Sequence, residues 1–445
     1  MSDQSSRSAL FDIRREERPL AALMSAYFFL VITSFWILKP LKKTLFIVYY
    51  QETGFDLLSW HFNAPQAELL AKVLNMFVAY LAVITFSALS SRLRRQRLTI
   101  AFTSFFMACY LVLSTLIDQP SASTVWIFYL FGDLFSTIMV ATFFSFLNDS
   151  VNPDSARRLY GVVGLGGVLG GVFGTTSLSA LLDTLSYAQW LFVTFGLGVL
   201  ILLIASAAGR RVDRDDDKPR ADSPDVSAPS PRDNPAIAGA RLVFRSRYLL
   251  SIVAIVGIYE IVSTIVDFQF TSAIYHFLSG DEIGRQFSRV YAISNLVSFL
   301  VQLLLTSFVM RRFGLAVALL VLPVAIFSSS MAFFAMPILL FGSILNTADS
   351  GFSYSLNQSA KEALYVPTSR DEKYKAKAFI DMFVQRFAKA IAVGVSLLVT
   401  SLVGDFSGVR WLSALTIPLV IAWAFAARSA GRQFEQFSKG EESSS

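Results

Sequence analysis

Residues 209–238 read GRRVDRDDDKPRADSPDVSAPSPRDNPAIA, and this stretch divides the chain. It holds Arg210, Arg211, the run Asp215-Asp216-Asp217, and Pro219, Pro224, Pro229, Pro231 and Pro235. So polar a segment cannot bury enough apolar surface to fold, which predicts a disordered linker. On both sides apolar runs of about 20 residues recur, each long enough to cross a bilayer. Six precede the linker, at 20–50, 67–90, 98–117, 125–147, 159–183 and 187–208. Six follow it, at 248–275, 286–310, 315–335, 337–364, 376–403 and 409–428. The expected fold is therefore an all-α membrane protein of 12 transmembrane helices in two six-helix halves. The expected organisation is an N-terminal segment 1–19, a first half 20–208, the linker 209–238, a second half 239–430 and a tail 431–445.

Composition agrees. Apolar residues make up 54% of the chain and charged residues 16%, with a mean hydropathy of +0.55. A transmembrane barrel would show runs of about ten residues of alternating polarity, and the sequence has none. The polar start and the length of the first apolar run argue against a cleavable signal peptide. One cysteine, Cys109, excludes a disulfide within the chain. Together with His61 and His276 it is too little for the usual metal cluster, so no metal or other cofactor is expected. No GxxxxGK[ST] motif occurs, and the partial GxGxxG from Gly164 has Leu169 in place of its third glycine. The sequence thus predicts no enzyme.

Basic residues set the topology. Arg14, Arg15 and Arg18, Arg92 to Arg97, Arg157 and Arg158, the linker, Arg311 and Arg312, Arg370 and Lys373, and Arg428 and Arg432 all fall on one side. The opposite loops hold little beyond Arg285 and Arg410. Both termini and the linker are expected to be cytoplasmic, and the net charge of +6 is read as topology, not as a sign of nucleic-acid binding. The basic turns Ser91-Arg92-Leu93-Arg94-Arg95 and Met310-Arg311-Arg312-Phe313-Gly314 occupy matching positions in the two halves. Six plus six helices, a central linker and these paired turns resemble the major facilitator architecture.

The first apolar segment carries the strongest functional signal. Lys39, Lys42 and Lys43 lie inside it, beside Pro40. A cation in hydrocarbon costs about 2.5–3.5 kcal/mol by insertion scales, so three in five residues need water, a counter-charge or an anionic ligand. Other helices carry polar residues at helical spacing: Asp133, Thr137, Ser145 and Asp149; Glu260, Thr264, Asp267 and Thr271; Tyr291, Asn295, Ser298, Gln302 and Thr306; Asn346, Ser350, Ser353, Asn357 and Lys361, with Asp349 beside them; and Lys377, Asp381, Gln385 and Lys389, with Arg386 adjacent. Two readings stay open, interhelical bonding and a substrate path. The glycines at 161, 164, 166, 167, 170, 171 and 174 suit close helix packing or a hinge.

At three places the residues resemble the ATP/ADP carrier family of plastids and obligate intracellular bacteria. One is Lys361-Glu362-Ala363-Leu364-Tyr365-Val366-Pro367, then Lys373-Tyr374-Lys375-Ala376-Lys377-Ala378-Phe379-Ile380-Asp381, then Arg386 and Lys389. The second is Asn148-Asp149, Ala156-Arg157-Arg158-Leu159-Tyr160 and Gly164-Leu165-Gly166. The third is Ile37-Leu38-Lys39-Pro40-Leu41-Lys42-Lys43-Thr44-Leu45. The resemblance implies a nucleotide exchanger in which Lys42, Asp149, Asp267 and Lys377 are charged groups needed for transport. In this chain Pro40 and Lys43 replace two family aspartates, and Asp149 and Asp267 stand for glutamates. The expected substrate set is Lys39, Lys42, Lys43, Asp149, Asp267, Lys375, Lys377, Asp381 and Arg386. Asp381 is expected to pair with one of the nearby cations when the site is empty. The expected partners are a nucleotide or other anionic small molecule and the lipid bilayer. A monomer in a bacterial inner membrane is the expected setting. The alternatives are another organic-anion or drug transporter, proton-coupled through Asp133, Glu260, Asp267 or Asp349, and a non-transporting membrane partner or sensor.

Overall fold

A computed structural model of the chain describes residue 14 and residues 17–151, 153–216, 235–368 and 376–442. The first half consists of α1 (Arg18–Tyr49), α2 (Ala64–Ser90), α3 (Arg95–Leu116), α4 (Ala122–Ser150), α5 (Pro153–Leu181) and α6 (Tyr187–Asp216). After α7 (Pro235–Arg245) come α8 (Arg247–Phe277), α9 (Asp281–Leu300) and α10 (Ser307–Ala335), with a π-helical segment Val301–Thr306 between the last two. Next are α11 (Leu339–Phe352), a second π segment Ser353–Asn357, and α12 (Gln358–Ala363). The chain closes with α13 (Lys377–Phe379), a third π segment Ile380–Val384, α14 (Gln385–Val403) and α15 (Ser407–Glu442).

Ten helical stretches among the described residues are long and apolar enough to cross a membrane. One of them, Asp281–Ala335, runs 55 residues and breaks at Gly314, whose φ of 80° and ψ of 174° end one span and start the next. The helical stretch 339–363, interrupted only by its π segment, supplies the remaining span of a 12-span bundle. The π segments are real changes of register. Gln358 N–H bonds to the Ser353 carbonyl and Gln385 N–H to that of Ile380, each five residues back.

Local chemistry sets several boundaries. Asn63 and Gln66 cap α2 reciprocally: Gln66 N–H donates to Asn63 Oδ1 at 3.0 Å, and Asn63 N–H to Gln66 Oε1 at 3.1 Å. Ser121 and Ser246 accept the backbone N–H of Thr124 and Leu249. Asp405 accepts from Ser407 Oγ and from its backbone N–H, which holds the carboxyl below the usual carboxylate range. Both ends of the 209–238 segment are helical. Helix α6 continues to Asp216, with Arg210 and Arg211 in its final turns where cations suit the helix dipole, and α7 begins on Pro235, a residue pre-set for the first helical position. Residues 217–234 lie outside the described ones.

One small element departs from the all-helical expectation. Strands β1 (Phe55–Leu57) and β2 (Trp60–Phe62) form an antiparallel hairpin with Asp56 opposite His61, their side chains 2.7 Å apart. The two-residue turn puts Leu58 at a φ of 57°, a conformation that a two-residue hairpin needs and a leucine tolerates poorly.

Packing divides the chain into two units. One comprises Met1–Gly54, Leu74–Pro224 and Gly280–Ala292; the other Phe55–Val73, Asp225–Ser279 and Ile293–Ser445. Helices α2 and α9 are thus each split between units. In the second unit Leu69 joins Ile265, Phe268, Ala392 and Leu412 in a buried cluster, and Gln66 Nε2 donates to Thr400 Oγ1 at 3.0 Å. In the first unit Arg285 pairs with Asp183 at 3.2 Å, and a Cβ at Gly284 would stand 3.0 Å from the Thr44 side chain.

The glycines of α5 serve close packing. A Cβ at Gly166, Gly170 or Gly174 would fall 2.5, 2.4 or 2.7 Å from the carbonyl oxygen of Ser25, Phe29 or Thr33 on α1. Thr33 Oγ1 donates to the Gly170 carbonyl at 3.2 Å.

Candidate functional site

The lysines of α1 belong to the first unit. Helix α1 stays helical through Pro40, which has no N–H to donate back to the Trp36 carbonyl. Lys42 and Lys43 are each 5% exposed, and Lys39 is half-buried. Each ammonium has a distinct setting. Lys42 pairs with Asp133 of α4 and lies 4.4 Å above the Tyr129 ring. Asp133 also accepts from Asn75 Nδ2 at 2.8 Å. Gly132 gives the lysine stem its passage, since a Cβ there would stand 2.7 Å from Lys42 Cδ. Lys39 rests among aromatic faces, 4.5 Å from the Trp36 ring centroid and 5.2 Å from that of Tyr291. Lys43 lies 5.2 Å from that of Phe287. Such contacts contribute about 0.5–2 kcal/mol each, more as water is excluded. They stabilise cations without neutralising them. Trp36 is itself buried.

Asp149 is not with them. It is exposed at the end of α4, 16 residues or about 24 Å along the helix from Asp133, and Arg95 donates to its backbone carbonyl. The stripe along α4 carries both readings, because Thr137 bonds back to the Asp133 carbonyl at 2.9 Å while the Asp133 carboxylate serves Lys42.

The second unit holds three charged groups. Asp267 pairs with Lys72. Lys72 also lies 3.4 Å from Glu68, a carboxylate only 1% exposed. Further along α8, Glu260 pairs with Lys389 at 3.4 Å. Near the end of α12, Lys377 pairs with Glu362 at 2.5 Å and lies over the Tyr365 ring at 5.4 Å. Asp381, expected to pair with a nearby cation, has a side-chain partner along its own helix. Its Oδ1 accepts from Gln385 Nε2 at 3.0 Å, one turn on, while Glu362 reaches Lys377 from the facing segment. Arg386 is half-buried on α14. Lys375 lies outside the described residues. Buried polar groups gather around the second π segment, where Asn346, Asp349, Ser353 and Asn357 are all less than 9% exposed. Ser263 Oγ donates to Asp349 Oδ2 at 2.7 Å.

Glu68 and Lys72 escaped the sequence reading. The signal was present, since a Glu and a Lys four apart in an apolar run satisfy the same cost argument as the α1 lysines. Tyr129, Phe287 and Tyr291 as cation platforms carry no sequence signal, because they sit far along the chain from the lysines they face.

The chain is a set of membrane-spanning helices with charged side chains held inside them, several in ion pairs, the build of a secondary transporter. The chain belongs to the Major Facilitator Superfamily, whose family profile matches residues 20–369. A second profile, the TLC ATP/ADP transporter, matches residues 335–434. The family is one of transporters, not enzymes. Among curated relatives, ADP,ATP carrier protein 1, chloroplastic, of Arabidopsis thaliana is 22% identical over 71% of this chain and 55% of its own length. ADP,ATP carrier protein 2 of Chlamydia trachomatis is 25% identical over 69% of this chain and 65% of its own. The matched region thus spans less than two thirds of both. ADP,ATP carrier protein 1 of the same bacterium is 23% identical over 98% of this chain and 92% of its own. Among solved structures, the nucleoside transporter NupG superposes with a TM-score of 0.65 at 12% identity, covering 92% of this chain and 99% of that one. The POT family transporter PepTSo gives 0.63 at 12% identity, over 93% and 99%. These structures share the fold.

Proposed function

We propose that the protein exchanges nucleotides of the ATP/ADP type across the membrane by alternating access, one half moving against the other. The observation that carries this reading is the trio of α1 lysines, Lys42 and Lys43 buried and Lys39 half-buried, in a chain with ADP,ATP carriers as relatives. A polyphosphate brings three or four negative charges, and ammonium groups already withdrawn from water bind them by charge-assisted hydrogen bonds. Asp133 holds Lys42 while the site is empty, and a phosphate oxygen takes that place on loading. Lys39 and Lys43 keep their charge on aromatic faces and serve the remaining phosphates. In the second unit Lys377, Arg386 and Lys375 receive the phosphates in the other half of the cycle, with Asp267, Asp381 and Glu362 as their counter-charges or those of their neighbours. Asp149 stands at the cytoplasmic mouth. In this reading the protein works as a monomer, without a cofactor, in a bacterial inner membrane with both termini cytoplasmic.

Counterflow in proteoliposomes tests it. Vesicles preloaded with ADP should accumulate labelled ATP, and vesicles preloaded with buffer or a nucleoside should not. Equal uptake into all three overturns exchange.

A second reading has its own support. Glu68 and Asp267 both approach the ammonium of Lys72, and acidic groups gathered inside membrane helices are the usual elements of proton paths. That arrangement suits a proton-coupled organic-anion transporter. Uptake that follows an imposed pH gradient, with no need for internal nucleotide, would select it.

A further inference from the structure

The second unit carries a groove whose lining includes none of the charged groups of the candidate site. It lies between α10 and α15, has a volume of about 370 Å3, and is lined by Pro323, Val324 and Phe327 on one side and Ile421, Ala424 and Phe425 on the other. Arg428 is its one charged lining residue. Pro323 and Pro418 each lie inside a membrane helix and lack a backbone donor. Closer to the basic ends the two helices touch. A Cβ at Gly431 would stand 2.5 Å from that of Ala316, so the groove is closed just beyond Arg428.

The shape and charge point to one occupant. Val324 and Phe425 are 60% and 67% exposed, in the part of the bundle that meets hydrocarbon. From Ile421 to Arg428 is seven residues, about 10 Å of helix, against about 15 Å for one leaflet of hydrocarbon. The groove therefore fits the headgroup-proximal part of an acyl chain. Arg428 sits where that chain meets its headgroup and has no ion pair among the described residues. Arg432, one turn on, is also exposed. A guanidinium presents a planar fork that matches phosphate oxygens. A tail alone would leave it unused.

We propose that this groove binds one anionic phospholipid of the leaflet at the basic helix ends, with an acyl chain between α10 and α15 and its phosphate on Arg428. The full-length protein, delipidated in neutral detergent, is mixed with equal amounts of phosphatidylglycerol and phosphatidylcholine of matched chains. Retained lipid is counted by native mass spectrometry. One phosphatidylglycerol should be retained in about fivefold preference, the scale of one basic residue at an anionic surface. Arg428→Gln should abolish the preference and leave the smaller, headgroup-independent retention. Val324→Trp, at an exposed position where a larger side chain fills the groove without entering the core, should reduce retention of both lipids. Equal retention of the two lipids by the wild type, or an unchanged preference in Arg428→Gln, overturns the headgroup assignment. Unchanged retention in Val324→Trp overturns the groove as the site. A dimer that Val324→Trp disperses would give the groove to a second copy of the chain and overturn the proposal as well.

Discussion

Replacing Asp133 by asparagine separates the two roles of the Lys42 pair. The side chain keeps its size and can still accept from Asn75, but the charge opposite Lys42 is gone. Removing one member of a buried ion pair costs about 3–5 kcal/mol, because the other charge is stranded. Asp133 is 27% exposed, so water offsets part of the loss, and Tyr129 still faces the ammonium. We expect a net destabilisation of about 2 kcal/mol for the empty protein. The loaded protein should lose less, since phosphate supplies the missing charge. Its affinity for ADP should rise about tenfold, equivalent to about 1.4 kcal/mol, because the phosphate no longer displaces a carboxylate. Thermal unfolding in detergent, with and without ADP, measures both effects. The double variant Lys42→Gln with Asp133→Asn leaves no stranded charge and should recover most of the stability, giving a coupling of about 2 kcal/mol plus whatever Lys42→Gln alone costs. A single variant as stable as the wild type, or a double variant no better than the single, would refute the reasoning.

Three further outcomes follow from other parts of the molecule. Lys39→Gln, Lys43→Gln and Lys377→Gln should each weaken nucleotide competition in counterflow, more for a triphosphate than for a monophosphate; unchanged affinities in all three would mark these lysines as structural. Gly170→Val should sharply lower the yield of monodisperse protein, because its Cβ would meet the Phe29 carbonyl at 2.4 Å and overpacking costs about 1–3 kcal/mol or more, whereas Gly164→Ala, with open space around it, should be tolerated; equal yields would contradict the α1–α5 packing. In a Cys109→Ser background, a cysteine at Ser59 in the hairpin turn should react with an impermeant reagent applied from outside, while one at exposed Ser429 reacts only after permeabilisation. The opposite pattern reverses the orientation.

The spans were legible because each is a continuous apolar run, and a bilayer sets their length whatever they pack against. The cations of α1 were legible for the same reason, as violations of the pattern. Their partners were not. That Lys42 pairs with Asp133, or that Glu362 takes Lys377, depends on which helices lie side by side, and helical spacing within one span says nothing about that. The hairpin around Leu58 was hidden because Asp56-Leu57-Leu58-Ser59-Trp60-His61 lacks the glycine or asparagine that usually marks such a turn. The extra residues of the π segments were invisible too, since α and π turns differ by one residue and no composition marks them.

The two units differ in how their helices are built. In the first, α1 and α5 meet backbone to backbone along three glycines, so neither can slide or rotate without driving a carbonyl into the other helix. The α1 lysines therefore ride on a fixed platform. The three π segments, 301–306, 353–357 and 380–384, all belong to the second unit among the described residues. Each holds one residue of slack. Releasing it would turn the helix beyond by about 100° and advance it by about 1.5 Å, enough to present a different side chain to whatever it faces. Adaptation to cargo should then fall to the second unit while the first keeps its form. Hydrogen exchange would read that asymmetry directly: amides at 353–357 and 380–384 should change protection on adding nucleotide, and those of 25–36 should not.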